Sequence, residues 1–583
     1  MKQLSPTLLT LPATTTPLWR RRVATVDVVR VLTVVIVAAL VLYPLFWMVL
    51  GSLQLNPMRG GFTLRAYERV FSSPYLPAVL WNTVLMAVGT TVAAVAVGVP
   101  MAWVIARTDV PFKRLFNLVA LVPFITPPMV GAIAWSYLGG PNSGFLNTAW
   151  MALTGSTTPL VNIFTLHGMV LVMALNLTPY VFLLVSVSLQ NMDPSLENAA
   201  AVTGAGPLRI LFTVTLPLAL PAIASSALLV LIQALEIFAI PATIGSPGGQ
   251  YVFVTQIYRL LGGVPPRFNE AAALSMPLLL VCAAALWLQQ RALGRDKSYT
   301  TVSGKAFRAQ LVRLGRWRLP VLMLPALYLL LAAVLPYLVF LYGSVIRSSG
   351  LPVTSANLTT EWITRFFTGQ ASPMLWRAIG NSLMLSVGGA TAGVLLATLC
   401  AYFTTRERWR GRCFLEFLAL APIAIPGAVI AVGLLWAYIR PPFQLYGTFT
   451  ILFLAYITRY LPFGIKSVAS VMLQVSPDLE KASVICGASW MWTFFRILVP
   501  VVIPGVLAGW MLMFVSMMRE LSASVMLYTS NHETVAVALY LLWDEASFQY
   551  VSLLSLVLVA VSLASLALIK LLARFANPTG AIP

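Results

Sequence analysis

Residues that commonly perform enzyme chemistry are scarce in this sequence and are not grouped. There are two histidines, His167 and His532, and four cysteines, with neither a Cys-x-x-Cys pair nor a His-Glu-x-x-His run. This spacing predicts neither a zinc site nor a disulfide framework. His532 and Glu533 are adjacent in one predicted loop, which disfavours a serine-type relay built on them. We therefore predict no catalytic residue and no bound metal.

A phosphate-binding loop is also missing from the sequence. Gly304-Lys305 is followed by Ala306, and no glycine stands five residues before Gly304. The Gly-x4-Gly-Lys-Ser/Thr pattern, in which backbone N–H groups surround a phosphate, is therefore not met. The sequence gives no support to nucleotide hydrolysis by this chain.

Charged or polar side chains inside long apolar runs are a different kind of candidate. Arg459 lies in one such run, and Asn176 lies at the equivalent place in the first half. Glu236 and the pair Arg519-Glu520 occupy a second set of runs. Because charges are costly in an apolar span, these five residues are predicted to line or gate a pathway. The alternative is that Arg519 and Glu520 lie near a helix end or form structural ion pairs between helices.

The composition places these candidates in a membrane. Hydrophobic residues make up 59% of the 583 positions and charged residues 9%, and the mean hydropathy is +0.88. Soluble domains carry about 25% charged residues, so a soluble enzyme and a disordered chain are both excluded. The net charge of +20 fits the sorting of basic residues into cytoplasmic loops better than nucleic-acid binding.

Long apolar runs predict an all-α polytopic membrane protein with about twelve spans. A helix needs roughly 20 apolar residues to cross a bilayer, whereas barrel strands are about ten residues with strict alternation. The predicted spans are Val28–Leu53, Asn82–Ala106, Leu115–Leu138, Asn162–Leu189, Leu216–Ile240, Ala271–Gln290, Leu319–Ile346, Asn381–Thr404, Cys413–Tyr438, Gly447–Leu473, Pro500–Leu527 and Tyr550–Arg574.

The twelve runs form an internal repeat. Residues around Glu197 recur around Glu480 at a constant spacing of 283, which also pairs Pro179 with Pro462. Upstream the spacing is 299, and the difference falls in one loop, where the first half has an extra segment predicted to hold a short helix near Phe145–Leu153. Six spans per half make the two halves parallel, with a pseudo-twofold axis along the membrane normal and a pathway between them.

Basic residues set the orientation and the boundaries. Arg20, Arg21 and Arg22 precede the first span, and the largest basic cluster lies between the halves. Both termini are therefore predicted to be cytoplasmic. We divide the chain into a cytoplasmic N-terminal segment (1–27), a first transmembrane half (28–293), a basic cytoplasmic linker (294–318) and a second transmembrane half (319–583).

A patterned loop follows the fourth span of each half. Asp193-Pro194 and Ser476-Pro477 predict a capped helix start. The helices are expected to end at Gly204 and Gly487. A second short helix is then expected to lead into the next span. Two matched copies favour a docking surface over an ordinary interfacial loop.

This Glu-x-Ala-x4-Gly pattern resembles the loop of MetI-like permeases of binding-protein-dependent ABC importers, over nearly the whole chain after about residue 25. The resemblance implies that each loop forms a coupling helix seated in a groove of a cytoplasmic ABC ATPase dimer. It also implies an external substrate-binding protein and ATP used by the partner, with no cofactor bound by this chain. Asn198 and Lys481 depart from the pattern at its second position. By matching position, the coupling residues would be Glu197, Ala199, Gly204, Glu480, Ala482 and Gly487.

The fused halves, the linker Lys297–Lys305 and the run Arg459-Tyr460-Leu461-Pro462-Phe463 are most similar to ferric-iron permeases. Branches for thiamine, polyamines or aminophosphonates share much of this pattern and stay open. The resemblance implies a multi-pass protein of the bacterial inner membrane, in contact with lipid and not with nucleic acid. It also places Pro179 and Pro462 as helix kinks beside the pathway.

The sequence disfavours two other classes of membrane protein. A proton-coupled secondary transporter of six plus six helices would need intramembrane Asp, Glu or His relays and no paired docking loops. A membrane-embedded transferase would need an acidic cluster in a cytoplasmic loop. The densest acidic pair outside the spans, Asp544-Glu545, is predicted to lie on the outer side. Both alternatives are therefore disfavoured.

Overall fold

A computed structural model describes residues 18–54, 61–120, 122–294, 311–348 and 354–576. Most of the predicted N-terminal segment and the linker stretch Lys297–Lys305 lie outside these ranges. The described part is helical and contains no β-strand, only isolated bridges. Helices satisfy their own backbone hydrogen bonds, which is what a chain in hydrocarbon requires.

Ten helices within the described ranges are long and apolar enough to cross a membrane, and two bent helix pairs bring the number to twelve. The helices of the first half, in chain order, are Leu18–Ser52, Leu76–Arg107, the pair Lys113–Ile125 and Pro128–Gly139, Leu166–Asn191, Pro207–Glu236 and Phe268–Gly294. Those of the second half are Gly315–Gly343, Pro373–Thr405, the pair Arg412–Ala424 and Gly427–Tyr438, Phe449–Met472, Trp490–Met518 and Phe548–Ala576. We refer to these as spans one to twelve.

The third and ninth spans differ from the straight helices predicted for Leu115–Leu138 and Cys413–Tyr438. Each turns sharply, by 93° in the first half and 111° in the second. The second arms follow Pro127 and Pro426, which have extended backbone ψ angles of 136° and 144°. Proline lacks an N–H group and disfavours helix in the residue before it, so the helix stops there. Their apolar composition concealed the turn.

The fifth and eleventh spans also have corrected ends. They begin at Pro207 and Trp490, because a π-helical turn joins the short helix after each loop to the span that was predicted to start near residues 216 and 500. They end at Glu236 and Met518, short of the predicted Ile240 and Leu527. A π turn directly before a proline accommodates the missing N–H group at Pro217 or Pro500.

The two halves are packed as a pair. Within each half, the second, fourth and fifth spans, or the eighth, tenth and eleventh, form a tight group. The first span packs against the ninth, and the seventh packs reciprocally against the third. At the first of these contacts a Cβ on Gly433 would lie 2.9 Å from the carbonyl oxygen of Pro44. This exchange of opening helices is the relation expected about a twofold axis.

Shorter helices connect the spans at both ends. They are Arg65–Phe71, Phe145–Thr154, Ser195–Val202, Phe253–Gly262, Glu361–Phe367, Asp478–Ile485, Ser524–Leu527 and Val535–Asp544. The helix at Phe145–Thr154 confirms the predicted insertion in the first half. Ser195–Val202 and Asp478–Ile485, here named the first and second loop helices, lie in the predicted loops.

Candidate functional site

The loop helices begin one residue later than predicted, at Ser195 and Asp478, with Pro194 and Pro477 at the N-cap position, and they end where predicted. Asp193 Oδ1 accepts a hydrogen bond from the Ser195 N–H, and Ser476 Oγ accepts one from the Asp478 N–H. Gly204 and Gly487 follow the helices with φ angles of +84° and +82°. Glycine adopts this left-handed conformation without steric cost, so it ends the helix and reverses the chain.

Each loop helix is held to its own half by an ion pair. Glu197 pairs with Arg107, at the end of the second span, and Glu480 pairs with Arg406, at the end of the eighth span. Arg107 is 1% exposed and Arg406 10%. The two arginines are related by the 299-residue spacing of the repeat. This duplicated pair is therefore a feature of both copies.

The same arginines also contact the end of the span that precedes each loop helix, which is the fourth or the tenth. Arg107 Nη1 donates to the Leu189 carbonyl at 3.4 Å, and Arg406 Nη2 donates to the Met472 carbonyl at 2.7 Å. Leu189 and Met472 are themselves repeat mates. Each arginine thus ties together the second or eighth span, the end of the fourth or tenth span, and the loop helix.

The glutamates therefore point into the protein, although their position in the loop predicted contact with a partner. Burial raises the pKa of Glu480, and the Arg406 guanidinium beside it acts in the opposite direction. The exposed face carries other residues. Ala199 and Ala482 are exposed, and Val202 and Ile485, which are repeat mates, are 89% and 86% exposed. No sequence signal apart from the repeat itself singled out these two apolar residues.

A second site lies where the long spans end. Arg459, in the tenth span, pairs with Glu236 at the end of the fifth span, and its Nε lies 3.1 Å from Glu520 Oε2. The Tyr460 hydroxyl donates a hydrogen bond to Glu520. We call Glu236, Arg459, Tyr460 and Glu520 the charge cluster. Three of the five predicted pathway residues therefore meet in one place.

The charge cluster is buried and crosses between the halves. Arg459 is 9% exposed and Glu520 4%, and Glu236 belongs to the first half whereas Arg459 belongs to the second. Taking charges out of water is costly, so each of these groups depends on its opposite charge. Glu236 and Glu520 lie at or just beyond helix ends, as the alternative reading of the sequence had it for Glu520, and they form interhelical ion pairs as well.

The bent spans touch this region from both sides. Arg519 Nη1 donates to the Phe124 carbonyl at 2.6 Å, beside the turn of the third span. On the other side, a Cβ built on Gly427, the first residue after the turn of the ninth span, would overlap Arg459. The irregular backbone of both halves thus surrounds the charged side chains, as is tolerated in a membrane only away from lipid.

Asn176 lies apart from the charge cluster. It lines a small cavity with Pro123, Thr126 and Pro128 at the turn of the third span. Pro179 and Pro462 lie inside helices that continue through them, and their role as kinks stays a prediction. Asn176 therefore borders the turn of the third span.

The remaining sequence candidates have structural partners. His532 Nδ1 lies 3.1 Å from Thr529 Oγ1, and Glu533 pairs with Arg377 at 3.2 Å. Asn381 donates to the Glu533 carbonyl at 3.0 Å, which fixes this loop against the eighth span. Within the described ranges, no group of three or more His, Cys, Asp or Glu residues is arranged to hold a metal ion.

The chain is similar to known transport proteins over both halves. The family model described as "Binding-protein-dependent transport system inner membrane component" matches residues 94–296 and 389–578. An Fe(3+)-transport system permease protein, FbpB 2 of Haemophilus influenzae, is 26% identical over 487 residues, covering 83% of this chain and 87% of that protein.

Two further comparisons cover one half of the chain. The spermidine/putrescine transport system permease protein PotC of Escherichia coli K12 is 27% identical over 240 residues, covering 41% of this chain and 89% of that protein. A chain of a bacterial ABC transporter involved in alginate import is 17% identical, with a TM-score of 0.38, covering 49% of this chain and 99% of that chain. With both of its halves matched by the family model, the chain belongs to the binding-protein-dependent transport system inner membrane components, the multi-pass permease subunits of ABC importers.

Proposed function

We propose that this chain forms the whole translocation pathway of an ABC importer, and that an ATPase dimer docks on its two loop helices. The observation that carries this proposal is the duplicated loop helix, anchored on one side and bare on the other. Glu197 and Glu480 hold the helices from within. Val202 and Ile485 extend from the free side. Exposed apolar side chains repeated at matched positions indicate a surface that a partner covers.

The glycine caps fit close approach by that partner. A Cβ added to Gly204 or Gly487 would meet nothing within 4 Å in this chain. The space beside both turns is therefore open, and the backbone there is accessible. A helix of eight residues with alanine on its free side, as at Ala199 and Ala482, offers a shallow surface that a groove in another protein can enclose.

The fifth and eleventh spans connect the loops to the charge cluster. The fifth runs from Pro207 to Glu236 and includes one π-helical turn at Leu211–Thr215. At 1.5 Å per residue its length is about 45 Å. The eleventh runs from Trp490 to Met518, directly before Arg519 and Glu520. A displacement of either loop is therefore transmitted along one rigid helix to the groups that contact Arg459.

We infer that the ion pair between Arg459 and Glu236 closes the pathway. It joins the two halves at the level where the fifth and eleventh spans end, and the turns of the third and ninth spans surround it. ATP-driven movement of the loop helices separates Glu236 from Arg459 and opens the passage. The binding energy of nucleotide and partner thus shifts the population of a two-state bundle.

The proposed orientation places the loop helices and both termini in the cytoplasm. The basic residues on that side support it. An external binding protein then delivers substrate to the opposite face. The division into two permease halves (28–293 and 319–583), preceded by a cytoplasmic segment and joined by a basic linker, belongs to the same proposal.

Ferric iron is the substrate that the relatives favour. The similarity to an Fe(3+)-transport permease extends over most of both chains. The cluster offers carboxylate and phenol oxygens, which hard cations prefer. A polyamine is the second candidate, because PotC is similar to one half. Both are cations, so the carboxylates of the cluster suit either one.

Docking is tested by co-expressing the chain with a candidate ABC ATPase subunit. The wild type should co-purify with that ATPase, and the double variant Val202→Asp with Ile485→Asp should lose it while inserting normally. Asn198→Asp is the matched control, since Asn198 is exposed on the first loop helix and lies at a departure from the family pattern. Retention of the ATPase by the double variant would contradict the docking proposal.

The substrate is tested separately. Cells lacking this permease should fail to grow when iron is limiting and recover when ferric iron is abundant. Recovery with spermidine, and not with iron, would replace iron by a polyamine. Radiolabelled iron uptake in proteoliposomes that contain the full importer gives the direct measurement.

A further inference from the structure

A cavity of about 350 Å³ lies against the second loop helix. Three elements form its walls: the start of the first span, the end of the eighth span, and the loop helix with the beginning of the eleventh span. Its charged lining consists of Asp27, Arg30, Glu407 and Glu480, and aromatic rings including Tyr402 and Trp490 form one side. A mostly apolar cavity with an aromatic wall and a few charged groups has the form of a ligand site.

The charged lining of this cavity is not repeated at the matching positions of the first half. Gly51-Ser52 and Gly343-Ser344 align the first span with the seventh, which places Leu322 opposite Arg30. Leu322 packs with Val104 and Val110 in a small apolar cluster. At the repeat spacing of 299, Thr108 stands where the second half has Glu407. The charged lining is therefore specific to the cavity beside the second loop helix.

We propose that this cavity binds a small organic ammonium ion, which acts on the coupling of the second loop helix. Three carboxylates and one guanidinium line it, and Arg406 pairs with the lining residue Glu480, so these groups together keep an excess of one negative charge. Aromatic faces attract ammonium groups, and adding a carboxylate makes the combination selective for cations. An ammonium ligand supplies the positive charge that the lining lacks.

The electrostatics of the lining favour a positively charged ligand. Burial raises the pKa of Glu407, and burial also raises the pKa of Glu480, although Arg30 and Arg406 act in the opposite direction. Arg30 Nη1 lies 3.4 Å from Glu407 Oε2, and Arg30 also pairs with Asp27 and lies over the ring of Trp409. Arg30 is thus shared among three groups and leaves Glu407 incompletely neutralised.

A ligand in this cavity contacts the machinery that the proposed function describes. Glu480 and Val484 belong to the second loop helix, and Trp490 begins the eleventh span. Occupancy fixes the distance between that helix and the first span. This regulatory part rests on the proposed function, whereas the binding itself does not, because it requires this chain alone.

Binding is measured on the full chain in nanodiscs of phosphatidylglycerol, by titrating spermidine, putrescine and ethanolamine. We expect saturable binding of at least one amine and at least tenfold weaker binding by Glu407→Gln. Val484→Phe, which fills the cavity and keeps every charge, should abolish it. Glu416→Gln, an exposed acidic residue that does not line the cavity, is the matched control and should bind as the wild type does.

A lipid arm identifies the source of the ammonium group. If the headgroup of phosphatidylethanolamine is the ligand, nanodiscs containing this lipid should block the soluble amines, and Glu407→Gln should lose its thermal stabilisation by the lipid. If a soluble amine is the ligand, the lipid should not compete. Absence of saturable binding together with no lipid effect, or unchanged binding by both cavity variants, would overturn the proposal. Co-purification of the ATPase is unaffected by either result.

Discussion

The two copies of the repeat share their loop anchors and differ in what lies behind them. In both, an arginine at the end of the second or eighth span pairs with the loop glutamate and bonds the end of the preceding span. In the first copy, Leu322 stands at the position aligned with Arg30 and packs in a small apolar cluster with Val104 and Val110. Behind the second loop helix lies the charged cavity.

The additional contacts of the two loop helices differ as well. Thr215 donates a hydrogen bond to Glu197 at 2.7 Å in the first copy. In the second, Ser483 and Thr493 lie 2.8 Å apart and Glu480 has no such hydroxyl partner. Both copies therefore keep the arginine anchor of the loop helix, and the glutamate of the first copy has an additional hydroxyl partner. We accordingly expect the first copy to be held more firmly than the second.

The largest difference between the two halves is expected in transport activity, after substitutions at the bent third and ninth spans. Gly427→Ala should displace Arg459 from its partners, which for a buried ion pair costs about 3–5 kcal/mol, and transport should be lost. Gly131→Ala in the first half should be tolerated, since a Cβ there meets nothing within 4 Å. Uptake assays on both variants provide the measurement. Equal transport activity of the two variants would contradict the proposal that the charge cluster closes the pathway.

Removing the arginine that anchors each loop helix should lower the stability of the protein by different amounts in the two copies. Arg107→Gln removes a guanidinium that is 1% exposed, so it should destabilise the protein by about 3 kcal/mol. Arg406→Gln acts at a more exposed pair, whose loss should cost about 1–2 kcal/mol. Thermal unfolding in detergent at fixed pH compares them. A greater loss in Arg406→Gln would contradict the expectation that the first copy is held more firmly.

The glycine caps should behave alike in both copies. Gly204→Val and Gly487→Val each force a branched residue into the left-handed region, at a cost of about 1–2 kcal/mol. Since the neighbouring space is open, membrane insertion should stay normal while ATPase-dependent uptake falls strongly in both. A defect in one copy alone would show that the two docking surfaces are not equivalent.

The smallest expected effect is on the pH dependence of the stability of the protein. Burial raises the pKa of Glu407 above 4.5, so the folded state binds this proton more tightly than the unfolded state. The resulting contribution to stability is full below about pH 4.5 and is lost as the pH rises through the raised pKa. Glu407→Gln should flatten that part of the stability profile. An unchanged profile would mean that Glu407 is already fully neutralised by Arg30.

Much of the loop architecture could be predicted from sequence because its determinants are local. The caps at Asp193 and Ser476 and the reversals at Gly204 and Gly487 depend on a few consecutive residues. The inward direction of Glu197 depends instead on Arg107, 90 positions away. A signal for that pair existed, because the repeat spacing aligns Arg107 with Arg406.

The bent spans and the cavity were less accessible to sequence reasoning. The turns at Pro127 and Pro426 lie inside uninterrupted apolar runs, and hydropathy measures composition without direction. The cavity depends on Arg30 meeting Glu407, 377 positions apart. Contacts between the first helix of one half and the opposite half depend on tertiary packing. The residue pattern of a single sequence does not reveal such packing.

Cross-linking tests the central claim most directly. In a variant with Cys282, Cys400, Cys413 and Cys486 replaced by serine, Val202→Cys and Ile485→Cys should each cross-link to the co-expressed ATPase, because both side chains face outward from the loop helices. Glu197→Cys, whose side chain points inward, should not. If neither exposed position cross-links, the proposal that an ATPase docks on the two loop helices is contradicted.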